Sequence, residues 1–254
     1  MIRVAAVGDI HLGADSEPSL GNPWAHVADD ADVLLVAGDL TKCGTLAEAR
    51  LVVDELGHLG VPVVLVLGNH DHHADQPEAV IEILQRGGIT VLEGDAVLLD
   101  LPSGRLGVAG VKGFGGGFAG SNVSAFGERE MKAFVHHGER VAERFADALH
   151  RLDSRDCDAR IALTHYSPSV ETIAGERPEI HAFLGSQLLG EAIDASRVDL
   201  ALHGHAHAGT ERGCTAGGTP VRNVAMPVIG CAYRVFELGP SSIQSRADDD
   251  RLGV

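Results

Sequence analysis

The sequence predicts an α/β fold built on a largely parallel sheet. Three observations carry that prediction. Short runs of Val, Ile and Leu recur that are apolar on both faces, and the earlier ones alternate with helical patterns. Five of the runs also end in polar clusters of Gly, Asp, Asn and His, and the carboxyl ends of strands are where open α/β sheets bind ligands.

In chain order, residues 2–7 and 33–37 read as buried strands. Residues 45–59 follow with Leu46, Ala49, Val52, Val53 and Leu56 at helical spacing. A third strand is expected over 61–67, then a helix over 77–85 stopped by Gly87-Gly88. Residues 89–92, 97–101 and 106–111 are strand-like with no room for helices between them, so neighbours there should be antiparallel. A Gly-rich stretch covers 113–120, preceded by Lys112. A long helix is expected over 128–152, with Met131, Phe134, Val141, Phe145 and Leu149 forming its core stripe. Strands then follow at 161–164, 198–202, 221–225, 228–232 and 235–238. There is no repeat and no long polar linker, which suggests one domain over 1–240 and a loosely held acidic tail over 241–254.

Composition narrows the function classes. The 254 residues carry 20 Lys+Arg against 36 Asp+Glu, a formal charge of −16. Such a chain repels phosphate backbones, which argues against a nucleic acid duplex as partner. The 44% apolar content excludes wholesale disorder. No apolar run approaches the ~18 residues of a membrane span. The apolar N-terminus is too short for a signal peptide. Cys43, Cys157, Cys214 and Cys231 form no C-x-x-C pair and read as reduced thiols, so a cytoplasmic location is expected.

The 14 histidines are the unusual number, and several stand in the five strand-end clusters. These are Gly8-Asp9-Ile10-His11, Gly38-Asp39, Gly68-Asn69-His70-Asp71, Thr164-His165-Tyr166 and His203-Gly204-His205-Ala206-His207. Together they gather carboxylates, imidazoles and a carboxamide without a thiolate, a donor set suited to Mn, Fe, Zn or a mixed pair. There are more donors than one tetrahedral zinc takes, so two metals fit the count. In extended chain Asp9 and His11, two apart, point the same way, as do His205 and His207. The preceding glycines permit sharp turns.

In this order the clusters resemble the calcineurin-like metallophosphoesterase superfamily, with all five blocks matched between Asp9 and His207. The resemblance implies a four-layer α/β/β/α sandwich with a dinuclear site at the carboxyl ends of the strands. It further implies that Asp9, His11 and His207 hold one metal, that Asn69, His165 and His205 hold the other, and that Asp39 bridges both. A shared hydroxide would attack phosphorus in line. His70 would protonate the leaving group, oriented by Asp71 through an Nδ1–H bond. The protein phosphatases of this superfamily carry acidic and Arg residues after Gly-Asp and Glu after Gly-Asn-His. Here Leu40-Thr41-Lys42-Cys43 and Asp71 stand instead, which is more similar to the bacterial cyclic-nucleotide phosphodiesterase branch. A small phosphoester, preferably a diester, is therefore the expected substrate. A phosphomonoesterase or protein phosphatase is the alternative, and a non-catalytic scaffold a further one.

Other polar residues are read more plainly. His203 fits no motif position and is expected to be structural or to stand behind a ligand. His72 and His73 read as solvated loop, with pocket lining as the alternative. His26, His136 and His137 are expected at the surface. The 113–120 stretch is open between lid, anion nest and surface loop.

Overall fold

The computed structural model describes residues 1–13 and 22–239, so the tail expected over 241–254 lies outside the described residues. The chain runs β1 (Ile2–Val7), α1 (Val27–Asp30), β2 (Val33–Ala37), α2 (Leu46–Leu56), β3 (Val63–Val66), α3 (Pro77–Arg86) and β4 (Thr90–Val91). It continues through β5 (Asp95–Leu101), β6 (Gly104–Val111), β7 (Gly117–Phe118), β8 (Ser121–Asn122), α4 (Arg129–Asp153) and β9 (Ala159–Thr164). The last elements are α5 (His181–Leu184), α6 (Gln187–Asp194), β10 (Leu200–His203), β11 (Arg212–Cys214), β12 (Pro220–Asn223), α7 (Met226–Ile229) and β13 (Arg234–Leu238).

Local chemistry sets the helix starts. At α2, the Thr45 side chain accepts from Glu48 N and the Glu48 side chain accepts from Thr45 N, a reciprocal cap. Pro77 opens α3, where its missing N–H costs nothing.

Two sheets form. The first has the order β13-β1-β2-β3-β4, parallel from β1 to β4 with β13 antiparallel at its edge. The second has the order β11-β12-β10-β9-β6-β5, parallel in its centre and antiparallel at both edges. The alternation of side chains divides the second sheet between two cores. Leu106, Val108, Ile161, Leu163, Leu200 and Leu202 join the first sheet in one cluster, which also takes Ala49, Val52 and Leu56 of α2 and Val80 and Leu84 of α3. Ala109, Val111, Ala162 and Ala201 face the other way, onto Val141, Phe145 and Leu149 of α4 and Leu189 and Ile193 of α6. The result is helices, sheet, sheet, helices: the four layers that the resemblance implies.

Three expectations need correction. Of residues 89–92 only Thr90–Val91 is strand, and it pairs parallel with β3 rather than antiparallel with β5. The reason is that α3 already supplies the crossover from β3. Residues 228–232 are not a strand, because Met226–Ile229 forms one helical turn ended by Gly230 at φ 64°. Finally, Met131 is 40% exposed rather than core. The core contacts of α4 begin at Val141, and in its first turns Phe134 meets Phe114 and Phe183 instead. Helix α6, capped by Ser186, was not expected; nor were β11 and the β7–β8 hairpin.

Candidate metal centre

All five clusters converge at the carboxyl ends of strands. Asp9 and His11 follow β1, Asp39 follows β2, and Asn69 and His70 follow β3. His165 directly follows β9, and His205 and His207 follow β10. Extended-chain alternation is not what brings them together. Asp9, His11, Asp39 and His205 lie in the left-handed region at φ 59°, 45°, 51° and 72°; among the described residues only Asp75 joins them as a non-glycine there. The strands stop short of the ligand positions, and left-handed turns swing the side chains into one space. Two of the glycines serve by lacking a Cβ. A Cβ at Gly68 would overlap the Asp39 carboxylate, and one at Gly204 would overlap that of Asp9.

The donors form two groups. In the first, Asp9, His11 and His207 bring ligand atoms within 4.8 Å of one another. His207 Nε2 lies 2.9 Å from Asp9 Oδ1, and the His205 N–H donates to both Asp9 oxygens. Burial works to raise the Asp9 carboxyl, but the His207 hydrogen bond, the His165 charge and that N–H hold it below its ordinary value. The bond to Asp9 in turn raises His207. A proton thus lies where a cation would replace it. Burial lowers His11, against the attraction of Asp39 and Asp9.

In the second group, Asp39, His165 and His205 likewise lie within 4.8 Å. His165 is fully buried, and its Nδ1 lies 2.9 Å from the Ala37 carbonyl. A carbonyl only accepts, so this nitrogen carries the proton. The other nitrogen, Nε2, then faces two oxygens, Asn69 Oδ1 at 2.9 Å and Asp39 Oδ1 at 3.4 Å. These acceptor atoms repel unless a proton on Nε2 or a metal cation lies among them, and a donor set of imidazole, carboxamide and carboxylate converging on one point fits a metal in the proton's place. His205 Nε2 lies 3.1 Å from the Phe183 carbonyl, which leaves Nδ1 free to ligate. Burial, helped by the His165 charge, pushes His205 down to about 3, so its imidazole is neutral.

Asp39 stands between the groups. Its Oδ1 faces His165, while its Oδ2 faces His11 Nε2 at 3.7 Å and His70 Nε2 at 4.0 Å.

Asp71 departs from expectation. His70 Nδ1 lies 2.8 Å from the Lys42 carbonyl, not from Asp71. The fully buried Asp71 carboxylate instead accepts from Leu40 N, Thr41 N, Thr41 Oγ1 and Gly68 N. It ties the turn that carries Asp39 to the end of β3. Burial raises its carboxyl despite these bonds.

Around the centre, His203 is buried, with Nε2 2.7 Å from Thr172 Oγ1, and burial lowers it to about 4. His73 is exposed, but His72 lines a cleft beside Asn69, which favours the pocket-lining alternative. His26 and His136 are exposed as expected, whereas His137, though exposed, packs edge-on to Phe114 and lines the same cleft. The Gly-rich stretch is largely buried up to Phe118. Gly116 N and Gly117 N donate to the Ala182 and Gly185 carbonyls, so they are not available as an anion nest. Sequence reasoning passed over Glu93 and Arg144, which line this cleft with Lys112 and Tyr166. No periodic or motif signal marks them.

Comparisons with known proteins agree with this geometry. The family model described as calcineurin-like phosphoesterase matches residues 2–209. A Synechococcus protein named as a probable cyclic nucleotide phosphodiesterase is 32% identical over 95 residues, a stretch covering 34% of this chain and 36% of that protein. The match therefore spans only about a third of that relative. The phosphopantetheinyl hydrolase of Mycobacterium tuberculosis superposes with a TM-score of 0.66 at 17% identity, covering 94% of this chain and 96% of the other. The protein TT1561 of Thermus thermophilus gives 0.56 at 17% identity, covering 87% and 88%. Both likenesses speak for the fold.

Proposed function

Because the chain belongs to the calcineurin-like phosphoesterase family, we propose that it hydrolyses a small phosphoester, preferably a diester, with two divalent metal ions. The observation that carries the proposal is Asp39, whose two oxygens face two separate groups of nitrogen and oxygen donors. Asp9, His11 and His207 would hold one ion, Asn69, His165 and His205 would hold the other, and Asp39, which faces both groups, would be shared between them. Bound Mn, Fe or Zn would supply Lewis acidity toward the phosphoryl oxygens and lower the pKa of a bound water.

The chain's own residues do the rest. The Ala37 carbonyl fixes the His165 tautomer and the Phe183 carbonyl fixes that of His205. The Lys42 carbonyl holds His70 by Nδ1, so protonated His70 presents its Nε2–H to the departing oxygen. Water adds across the P–O bond: its hydroxyl goes to phosphorus, the P–O bond to the alkoxide breaks as His70 gives that oxygen a proton, and the proton released by water returns to His70 through solvent. Asp71 acts on the Asp39 turn rather than on His70. Among the described residues no helix is long and apolar enough to cross a membrane. A cytoplasmic setting and a single domain over 1–240 belong to the same proposal.

The test is reconstitution with Mn²⁺, Fe²⁺ or Zn²⁺ and assay on bis-p-nitrophenyl phosphate and p-nitrophenyl phosphate, with Asp39→Asn as the blank. Faster diester turnover that the blank lacks supports the reading. Faster monoester turnover replaces it with a phosphomonoesterase. Two bound metals with neither activity point to the scaffold.

A further inference from the structure

A cleft of about 490 Å³ opens beside Asn69, with Leu67, Ile81, Val141 and Phe114 among its walls. Its polar groups are unusually short of partners. The Lys112 ammonium lies 5.4 Å from the Phe114 ring centre and 5.2 Å from that of Tyr166. Its hydrogen bond goes to the Gly113 carbonyl at 3.3 Å, and no described carboxylate lies within ion-pair distance of it. His72 Nε2 and Glu93 Oε2, on the same walls, are buried without a hydrogen-bond partner. Buried polar groups left this way cost free energy unless a ligand completes them.

The position of the cleft relative to His70 gives it meaning. His70 stands against His11, with ring centres 4.6 Å apart, and faces the Asp39 oxygen that His11 also faces. The cleft opens instead from the Asn69 side, where Tyr166 lies against His205 with ring centres 4.5 Å apart. A diester carries two organic groups, and the surroundings of this centre offer a place for each: a proton donor at His70, which is not among the cleft's lining residues, and beside Asn69 a ring-sized apolar space that also holds the Lys112 ammonium.

Resting on the diester reading above, we infer that this cleft holds the ester group that stays on phosphorus after cleavage, with Lys112 donating to a non-bridging phosphoryl oxygen. The substrate class is a monoanionic phosphodiester whose retained group is largely apolar and carries a hydrogen-bonding edge for His72 and Glu93. Arg144, the other cation of the cleft, already faces Glu93 Oε1 at 3.7 Å, so Lys112 is the one left for the phosphoryl group, and a single ammonium suits the single charge of a diester.

Two substrates that share a leaving group test this. Phenyl p-nitrophenyl phosphate and methyl p-nitrophenyl phosphate both expel p-nitrophenolate, which needs little protonation, so the comparison reads the cleft and not His70. With metal-loaded protein the phenyl diester should exceed the methyl diester at least tenfold in kcat/KM, chiefly through KM. Lys112→Gln should raise KM for both, and Ile81→Trp, which fills the cleft, should bring the ratio near one. Diphenyl phosphate, read as a thermal shift of the metal-loaded protein, should raise Tm in the parent chain and less in Ile81→Trp. Equal kcat/KM for the two diesters in the parent chain overturns the cleft assignment while leaving the diesterase reading intact. Absence of diester turnover in every metal form overturns that reading, and the cleft assignment with it.

Discussion

Replacing Asp71 by Asn separates two roles for one carboxylate. Its Oδ1 accepts from Thr41 N at 2.9 Å and Thr41 Oγ1 at 2.7 Å, and its Oδ2 accepts from Gly68 N at 2.8 Å and Leu40 N at 3.2 Å. An amide NH₂ in place of Oδ2 faces two N–H donors and orphans both. In place of Oδ1 it orphans Thr41 N, while the Thr41 hydroxyl can turn to accept. Each buried orphan costs about 1–3 kcal/mol, and the bonds that survive lose their charge assistance. Relief of the buried charge offsets part of this. The net loss is on the order of 2–4 kcal/mol, which for a chain of this size lowers Tm by roughly 5–10 °C. The turn holding Asp39 loosens too, so metal affinity falls. Thermal unfolding of the metal-free protein and metal titration measure both effects. An unchanged Tm together with a displaced limb in the pH–rate profile would refute this reasoning and restore Asp71 as the partner of His70.

Gly68→Ala should lower metal content measured on the purified protein, because its Cβ overlaps the Asp39 carboxylate; retention of two metals per chain would count against the placement of Asp39. Chelation should lower Tm. At free metal near 100 times Kd, each site adds about 2.7 kcal/mol, and Asp39→Asn should lose that increment. Burial works to raise the Asp32 carboxyl, but the Arg3 N–H, the Ser103 hydroxyl and the Arg3 guanidinium hold it below its ordinary value of 3.8. That contribution is present above the unfolded value and lost as pH falls through the folded one. Urea unfolding at pH 6 and pH 3 should therefore find Asp32→Ala less stable than the parent at pH 6, by about 1–2 kcal/mol, with the gap narrowing at pH 3.

Much of the fold was legible because its strands are buried on both faces, so runs such as 33–37 need no partner to be recognised. The site residues were legible because each follows such a run. What failed was reasoning that extended local pattern beyond its reach. The apolar run 228–232 looked like a strand, yet Pro227 and Gly230 bracket a helical turn, a signal that was available and outweighed. The pairing of Asp71 was not legible, since three of its four donors come from another strand end some 30 residues away. The glycines before the ligands read as permitting sharp turns, while at Gly68 and Gly204 the need is for space. Lys112 and Glu93 meet only through tertiary packing.

The left-handed backbone at Asp9, His11, Asp39 and His205 divides the demands on this sequence. Each such non-glycine position holds strain on the order of 1 kcal/mol or more, which the surrounding packing must override. Glycine there would relax the backbone and abolish the donor, although at Asp9 and Asp39 it would also orphan the His205 and His70 N–H groups, so folding and working make different demands at these same four positions. A descendant freed from catalysis would shed the backbone strain at these positions as it lost ligands, drifting toward a cleft that binds without reacting. Selection for folding alone would erase the centre first.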